Sequence, residues 1–250
     1  MDEESLPAGM AVLWRRPDPP RRPGRRPTLS LERIAAAAIE LADAEGLAGV
    51  SMARVAERLG VTSMALYRYV TSKDELLVLM ADTAMAAPPD LAEVTGDWRE
   101  RLEAWCRGQL ALIAQHPWVV ELTGLPPIGP NRVLWVEAGL AALEGTPLPH
   151  GTRVGVIGFL SLHVLTEGQL IAAYAAQRAG RPADHPAMAD WPGLLGTVVD
   201  PERHPRLAEA LAAGAFGTPE DDDPADEQEL ALTVLLDGIA ALIARYASDG

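Results

Sequence analysis

Hydrophobic residues recur at helical spacing along most of the chain, and no stretch alternates in the way of a β-strand. A first helix is predicted from Ser30, a good N-cap residue, to Glu45. Its apolar stripe consists of Leu31, Ile34, Ala35, Ala38 and Leu41. Two short helices follow at residues 51–59 and 63–69, and Gly60 permits a sharp turn between them. The pattern predicts an all-α fold that begins with a compact three-helix unit.

The next helix is predicted to open with Ser72 as N-cap and Glu75 three residues later, and to stop before Pro88 and Pro89. The later predicted helices span 97–115, 118–123, 131–144, 151–179, 206–213 and 224–247. The remainder of 180–223 is rich in Pro, Gly and Asp and is predicted to be a mobile crossover. We expect three segments: a flexible basic arm (1–27), an N-terminal helical domain (28–88) and a larger helical domain (89–250).

Composition limits the size of the core and the cellular compartment that can be expected for the protein. The chain has 250 residues, of which 48% are hydrophobic, so one large core or two modest cores are expected. The single Cys106 excludes an internal disulfide framework, and the first thirty residues lack the apolar run of a signal peptide. The longest uncharged apolar run, 154–166, is shorter than the roughly 20 residues that span a bilayer. A cytoplasmic protein without a membrane partner is expected.

Charge is spread unevenly along the chain, whose net charge is −14. Residues 10–73 contain eleven basic and six acidic side chains, which gives +5. Residues 74–250 contain ten basic and 26 acidic side chains, which gives −16. A basic head on an acidic body would present one end to a polyanion and keep the other end away from it. A solvated face with a disordered tail is the plainer interpretation of the same charges.

The short helix 63–69 carries side chains suited to a DNA major groove. Its predicted outward residues are Thr62, Ser63, Met64, Tyr67 and Arg68. They supply hydroxyls for phosphates, a guanidinium for a guanine edge and apolar atoms for a thymine methyl. Lys73 follows at a helix N-terminus, where free N–H groups favour a phosphate. An ordinary three-helix corner with two semi-buried tyrosines is the alternative from spacing alone.

The stretch 29–81, LSLERIAAAAIELADAEGLAGVSMARVAERLGVTSMALYRYVTSKDELLVLMA, resembles the DNA-binding domain of the TetR family of bacterial repressors. The turn at Gly60 and Val61, the run 66–70 and the run 73–77 carry the resemblance. The family implies an all-α homodimer whose N-terminal domains each read half of an operator. Each C-terminal domain would hold a small-molecule effector and contribute to a four-helix dimer interface.

The resemblance also implies DNA-contacting residues. These are Thr62, Ser63, Met64, Ala65, Tyr67, Tyr69 and Lys73, with Arg68 just after the family's tyrosine. Ser51 and Arg54 are further candidates. Relatives similar to the tetracycline repressor often place a guanine-reading arginine where this chain has Ala53, so their operator cannot be carried over. Arg25 and Arg26 lie in an arm similar to extensions that some members lay into the minor groove; a solubilising tail is the alternative.

The effector pocket is predicted from apolar residues with a few polar groups among them. The candidates are Trp105, His116, Trp118, Trp135, His163, Glu167 and Tyr174. His116 precedes Pro117 where the tetracycline-repressor type has a ligand-contacting histidine. The glutamine and asparagine that help to hold tetracycline in that type have no clear counterparts in this sequence. Tetracycline is therefore not expected to be the effector. His163 and Glu167 share a helix face and with His116 could bind a metal, but a hydrogen-bonded core pair is the favoured interpretation, so no metal or other cofactor is predicted.

The last helix has too many apolar residues for one stripe. Its predicted dimer-interface residues are Leu232, Leu235, Leu236, Ile239, Leu242 and Ile243. Such a helix would pack on its own subunit with one side and on a second subunit with the other.

Together these features predict a DNA-binding transcriptional regulator and not an enzyme, in the form of a homodimeric repressor that a small-molecule effector releases from a pseudo-palindromic operator. One alternative is a constitutive dimeric DNA-binding protein without an effector. A helical enzyme or metal-binding bundle is the other, but the sequence has no phosphate loop, strong metal spacing or nucleophile elbow. A cavity of a few hundred Å³ would distinguish the effector-responsive protein from the constitutive one.

Overall fold

The computed structural model describes residues 11–14, 29–122, 129–178, 191–216 and 224–248. Helices are the regular structure throughout these residues, and no strand occurs among them, as predicted. The α-helices are α1 (Leu31–Glu45), α2 (Met52–Leu59), α3 (Ser63–Tyr67), α4 (Lys73–Ala84), α5 (Trp98–Gln115), α6 (Pro130–Ala142), α7 (His150–Arg178), α8 (Trp191–Val198), α9 (Pro205–Ala212) and α10 (Pro224–Ser248). Short 3₁₀ helices occupy Ala11–Trp14, Leu47–Gly49 and Pro117–Leu122.

The chain forms two compact units, residues 1–172 and residues 173–250, so that α7 contributes to both. The first unit contains α1 to α6 and most of α7. The second contains the end of α7 and the helices α8, α9 and α10. The domain boundary predicted at residues 88 and 89 lies inside the first unit and stays a prediction.

Side-chain caps fix where several helices begin. The capping side chains that accept a hydrogen bond from the backbone two or three residues ahead are Ser30, Ser51, Thr62, Ser72 and Asp97. At α5 the cap is reciprocal, because Glu100 accepts a hydrogen bond from the backbone N–H of Asp97 at 3.0 Å. Each cap satisfies N–H groups that the first helical turn leaves unpaired. The predicted starts at Ser30, Ser72 and Asp97 are confirmed.

Gly60 makes the turn between α2 and α3. Its φ of 67° and ψ of 33° are left-handed, and its N–H closes the end of α2 on Ala56 and Glu57. Residues with a Cβ rarely adopt this conformation, whereas glycine does so without strain. The sharp turn predicted at Gly60 is therefore present, and it sets the angle at which α3 leaves α2.

Helix α4 is buried on more than one side, unlike an ordinary surface helix. Its buried residues are Glu75, Leu76, Val78, Leu79, Met80, Ala81, Asp82 and Ala84. It packs mainly on α1 and also contacts α6, Ala11–Trp14 and Pro117–Leu122. The carboxylate of Glu75 accepts a hydrogen bond from the N–H of Thr71 at 2.6 Å, which accounts for its burial.

Two segments predicted to be mobile contain ordered helices. Ala11–Trp14 falls in the predicted arm, yet Val12 is only 1% exposed because its apolar side chain packs in the core. Helix α8 falls in the predicted crossover. Its Pro192 occupies the first turn, where proline is compatible with a helix, so the proline content of this segment does not exclude a helix there.

Two helical stretches are long and apolar enough to cross a membrane by length and composition. They are His150–Ala173 and Glu229–Ser248, of which 28% and 17% are buried. Both stretches are longer than the uncharged apolar run 154–166 because each includes a few charged residues. Helices from the core of a soluble protein pass the same test, so the finding assigns no membrane location. It does mark α7 and α10 as helices with a large uncovered apolar surface.

The thiol of Cys106 is predicted to be inert in the folded protein. Burial raises its pKa to about 12, and the negative charge of Glu103 adds to the shift. Because the thiolate is the reactive form, native protein should react with a thiol reagent such as DTNB only as fast as it opens. Protein unfolded in guanidinium should release one equivalent at once. Rapid stoichiometric labelling of native protein would contradict the buried position.

Candidate DNA-binding surface and effector cavity

Helix α3 presents its predicted DNA-contacting face to solvent. Leu66 and Val70 are fully buried and hold the helix on the three-helix unit. Met64 is 76% exposed and Tyr67 45% exposed, although both carry large apolar groups. The exposed residues also include Thr62 and Arg68, and the half-buried ones are Ser63, Ala65 and Tyr69. Large apolar side chains that stand in water beside hydroxyls and a guanidinium fit a surface that another molecule covers.

Lys73 is exposed at the first position of α4, close in sequence to the exposed Arg68. Ser72 caps this helix, and Glu75 turns its carboxylate back to the backbone of Thr71 at 2.6 Å. The inward position of Glu75 keeps one acidic charge away from a phosphate bound beside Lys73. The arrangement is compatible with the predicted phosphate clamp.

Ser51 and Arg54, also predicted to contact DNA, are engaged within the protein. Ser51 caps α2 through the N–H of Arg54. The Arg54 guanidinium donates to both carboxylate oxygens of Glu45, at 2.6 and 2.5 Å, and to the carbonyl of Gly49 at 3.0 Å. Its hydrogen bonds hold the pKa of the Glu45 carboxyl below its ordinary value. Arg54 thus links the end of α1 to α2. Through these contacts it would help to position α3, the predicted DNA-reading helix, which is called the reader helix below.

The predicted arm residues Arg25 and Arg26 lie outside the described residues. Their contact with DNA stays a prediction from the sequence.

A cavity of about 330 Å³ lies within the first unit. Its lining is Met85, Trp105, Gln109, Ile113, Val119, Val120, Arg132, Trp135, Val136, Ser161, Leu162, Val164 and Leu165. Trp105 and Trp135 are buried, whereas Val136 and Leu162 are exposed, so the cavity runs from the interior to the surface of this unit. Its size and apolar walls fit a small-molecule site.

The two cavity tryptophans have their polar atoms satisfied by backbone. The indole N–H of Trp105 donates to the carbonyl of Trp135 at 2.7 Å, and that of Trp135 donates to the carbonyl of Met85 at 3.0 Å. The rings meet edge to face with centroids 6.3 Å apart. They therefore offer only aromatic surface to a ligand.

The other predicted effector residues lie away from this lining. His116 and Trp118 both contact the same oxygen of Asp43 on α1, at 2.8 and 2.7 Å. A carboxylate only accepts hydrogen bonds, so the Nδ1 atom of His116 carries the proton in this contact. His116 does end α5 as predicted, but its side chain joins α5 to α1.

His163 and Glu167 face each other on α7, with His163 Nδ1 at 3.9 Å from Glu167 Oε1, and neither lines the cavity. The predicted pairing of the two on one helix face is present. The side chain of Tyr174 lies outside the described residues. Within the described residues no cluster of three or more potential metal-binding side chains occurs.

Asp82, which the sequence analysis did not single out, joins α4 to the start of α6. Its carboxylate oxygens accept hydrogen bonds from the N–H groups of Asn131 and Arg132, both at 3.2 Å. The Asn131 side chain donates back to the carbonyl of Asp82 at 2.9 Å. A Cβ on Gly129 would lie 2.0 Å from the Asp82 carboxylate, so only glycine fits there. Burial raises the pKa of Asp82, while these backbone donors oppose that shift.

One signal in the sequence could have identified Asp82. It stands next to the apolar run 76–81, and a carboxylate at such a position needs a partner. Its partners lie about fifty residues further along the chain, in a segment whose path only the structure gives.

The six apolar residues of α10 that are predicted at a dimer interface differ in their exposure. Leu232, Leu236 and Ile239 are buried, and Leu235, Leu242 and Ile243 are half-buried. The most exposed apolar side chains on the helix are Leu230 and Val234, at 64% and 60%. On α7 the corresponding exposed residues are Val154, Phe159, Leu162 and Leu170.

Comparison with known proteins identifies the family. Residues 34–80 match the model of the bacterial regulatory proteins of the tetR family, and residues 88–243 match that of the tetracyclin repressor-like C-terminal domain. The second match alone covers more than half of the chain. The chain belongs to the tetR family. It is therefore a DNA-binding transcriptional regulator and not an enzyme.

Relatives in this family match over most of their length. The HTH-type transcriptional repressor DrrR1 of Streptomyces coeruleorubidus is 37% identical, over 94% of this chain and 86% of its own. An HTH-type transcriptional regulator of Saccharopolyspora erythraea is 32% identical, over 83% of this chain and 92% of its own. The structure of ActR from Streptomyces coelicolor in complex with actinorhodin is 25% identical, with a TM-score of 0.69 over 85% of this chain and 96% of that one.

We predict that Arg68→Ala and Lys73→Ala weaken operator binding by this tetR-family protein. The DNA is the intergenic segment beside its own gene, and binding is measured by fluorescence anisotropy at several salt concentrations. For Lys73→Ala, loss of one phosphate contact should reduce the slope of log affinity against log salt by about 1 per half-site, whereas Arg68→Ala should lower affinity mainly by relaxing base preference. Arg107→Ala, which removes an exposed guanidinium paired with Glu103 on α5, is the matched control. Equal effects of all three substitutions would contradict this assignment of the surface.

Proposed function

We propose that the protein is a homodimeric repressor that leaves a pseudo-palindromic operator when a small molecule occupies the cavity of its first unit. The observation that carries this proposal is the cavity of about 330 Å³, which is lined by Trp105, by Trp135 and by Met85, the C-cap residue of α4. A constitutive DNA-binding protein has no need of such a space. The repressor name of DrrR1 and the ligand-bound structure of ActR support the same function.

The DNA-binding half of the proposal rests on α3 and the start of α4. The exposed side chains of Met64, Tyr67 and Arg68 combine apolar contact with a guanidinium, and Lys73 lies beside a helix N-terminus. Two such surfaces in one dimer would enter successive major grooves about 34 to 36 Å apart. The operator would then be a pseudo-palindrome that mirrors the two-fold axis of the dimer.

Dimer formation is supported by the uncovered apolar side chains on the long helices. Phe159 and Leu162 on α7, and Leu230 and Val234 on α10, are each more than half exposed. Large apolar side chains exposed along a regulator's helices are typical of a subunit interface. A homodimer that covers it would act on chromosomal DNA in the cytoplasm without a membrane partner.

Two polar connections can carry the effect of a ligand to the DNA-binding helices. Met85, at the end of α4, lines the cavity and accepts the hydrogen bond of Trp135, and Asp82 holds α4 on α6. Asp43 holds α1 on the end of α5 and the following 3₁₀ helix through His116 and Trp118. A ligand that favours a different arrangement of α5 and α6 must therefore strain or shift α4 and α1.

The test is a titration of the purified protein bound to its labelled operator. Actinorhodin is the first compound, followed by a panel of aromatic acids and their neutral amides. An effector should lower operator affinity by about 5- to 150-fold, which is the usual range of allosteric coupling. If selective DNA binding is present but no compound changes it, the constitutive alternative is favoured. Absence of selective binding at any salt concentration would remove the repressor function itself.

We further predict that Asp43→Asn weakens the response to an effector. The amide still fills the site but lacks the charge that holds the Nδ1–H of His116 and the indole N–H of Trp118. The drop in operator affinity caused by the effector should shrink by about 2- to 30-fold. Glu103→Gln, which breaks an exposed ion pair on α5, is the control. An unchanged response in Asp43→Asn would show that this contact only stabilises the fold.

A further inference from the structure

Among the described residues that line the cavity, Arg132 alone has an ionisable side chain. The other polar lining residues are Gln109 and Ser161, which are neutral. The rest of the lining is aliphatic or aromatic, apart from the thioether of Met85. One positive charge in an apolar cavity is a strong selector, because a ligand without a matching charge must leave that guanidinium without a partner.

Hydrogen bonds within the protein use up most of the donors that face the cavity. Both indole N–H groups are paired with backbone carbonyls. The hydroxyl of Ser161 donates to the carbonyl of Ile157 at 2.8 Å, and the amide of Gln109 donates to the carbonyl of Trp105 at 3.3 Å. By contrast, the guanidinium of Arg132 has no hydrogen bond or salt bridge to another residue within the described part of the chain. Arg132 is thus the main donor left for a ligand.

The charge of Arg132 occupies an unfavourable position in the free protein. Arg132 is the third residue of α6, where the positive end of the helix dipole disfavours a cation. Burial lowers its pKa, and the negative charge of Asp82 opposes that shift. The carboxylate of Asp82 is already hydrogen-bonded to the backbone, because its oxygens accept hydrogen bonds from the N–H groups of Asn131 and Arg132. A second anion near Arg132 would relieve this imbalance.

We propose that the effector is a planar aromatic acid whose carboxylate pairs with Arg132 and whose ring system packs on Trp105 and Trp135. Arginine binds a carboxylate through two parallel hydrogen bonds, which fixes the orientation of the acid. The tryptophan surfaces supply apolar and aromatic contact to the rest of the molecule. The acceptor oxygens of Gln109 and Ser161 suit hydroxyl groups on the same ligand. This inference rests on the proposed function, since it names the class of compound that the cavity takes.

The same pairing connects the ligand with α4. The carboxylate of the ligand and the carboxylate of Asp82 would both be drawn to the charge of Arg132, and they would repel each other. A shift of the first turn of α6 toward the ligand would also move the backbone N–H groups of Asn131 and Arg132, from which Asp82 accepts its hydrogen bonds. An acid in the cavity would therefore weaken the hold of α6 on α4, whereas a neutral molecule of equal size would not act on Asp82 in this way.

The experiment compares anthraquinone-2-carboxylate with its neutral analogue anthraquinone-2-carboxamide. Binding to the full-length protein is measured by quenching of tryptophan fluorescence and checked by calorimetry. The carboxylate should bind about 10- to 100-fold more tightly than the carboxamide, since a charged hydrogen-bonded pair is lost with the neutral compound. Arg132→Gln should abolish this preference while it leaves carboxamide binding within about 3-fold.

Two further variants serve as controls. Arg132→Lys should keep part of the preference, because the charge remains but the two-pronged geometry is lost. Arg107→Gln, on the exposed face of α5, should retain all of it. Thermal unfolding and operator affinity of each variant without ligand report whether the fold is intact. If Arg132→Gln fails to fold, the comparison of Arg132→Lys with wild type decides the result.

The outcomes separate this inference from the proposed function. Equal affinity of wild-type protein for the two compounds, or no binding of either, would overturn the aromatic acid as the ligand class. An acid preference that depends on Arg132 but leaves operator affinity unchanged would support the cavity assignment and contradict the effector-responsive repressor. Wild-type protein could bind the carboxylate and the carboxamide equally and yet be released from the operator by other, neutral compounds. That result would support the repressor function and contradict the aromatic acid as the ligand class.

Discussion

Burial of α4 is the constraint on which the first unit depends. The helix packs on α1, on α6 and on two 3₁₀ segments, so no side of it is left to polar residues alone. Two acidic side chains are nevertheless buried in it, and each is satisfied by backbone N–H groups. Glu75 accepts a hydrogen bond from the N–H of Thr71. Asp82 accepts hydrogen bonds from two N–H groups in the first turn of α6. Because an unpaired buried carboxylate is costly, the Asp82 contacts hold the C-terminal end of α4 on α6, and the Glu75 contact fixes where α4 begins.

A helix held in this way can transmit a change at one end to the other. The N-terminus of α4 carries Lys73 beside the reader helix, and its C-terminus ends at Met85 in the cavity wall. The helix is twelve residues long, or about 18 Å, and has no glycine or proline at which to bend. Closely packed interiors shift between discrete arrangements more readily than they deform. A rigid rod with one end at each proposed site is therefore suited to couple ligand and DNA.

The parts of the fold that depend on neighbouring residues were predictable, and the parts that depend on distant ones were not. Caps such as Ser72 and the turn at Gly60 depend on residues only a few positions apart. The helix boundaries of the N-terminal helical domain could therefore be predicted closely from the sequence. The Asp43 and Asp82 contacts join residues about fifty to seventy positions apart. His116 shows the difference well: its helix-ending position follows from Pro117, but its turn toward Asp43 and away from the cavity depends on how α1 and α5 pack.

The N-terminal helical domain has less positive charge available to attract DNA than its count of basic residues suggests. Arg54 and Arg58 are each paired with a glutamate on α1, so two of the basic charges hold α2 on α1 and have little left to attract phosphates. Arg68 and Lys73 then carry more of the attraction from the reader surface itself. On the described surface of α3, discrimination between sequences would therefore draw also on apolar and hydroxyl contacts from Met64 and its neighbours. Contacts of this kind require close fit to the groove, so we expect operator affinity to respond to small changes in the position of α3 and hence of α4.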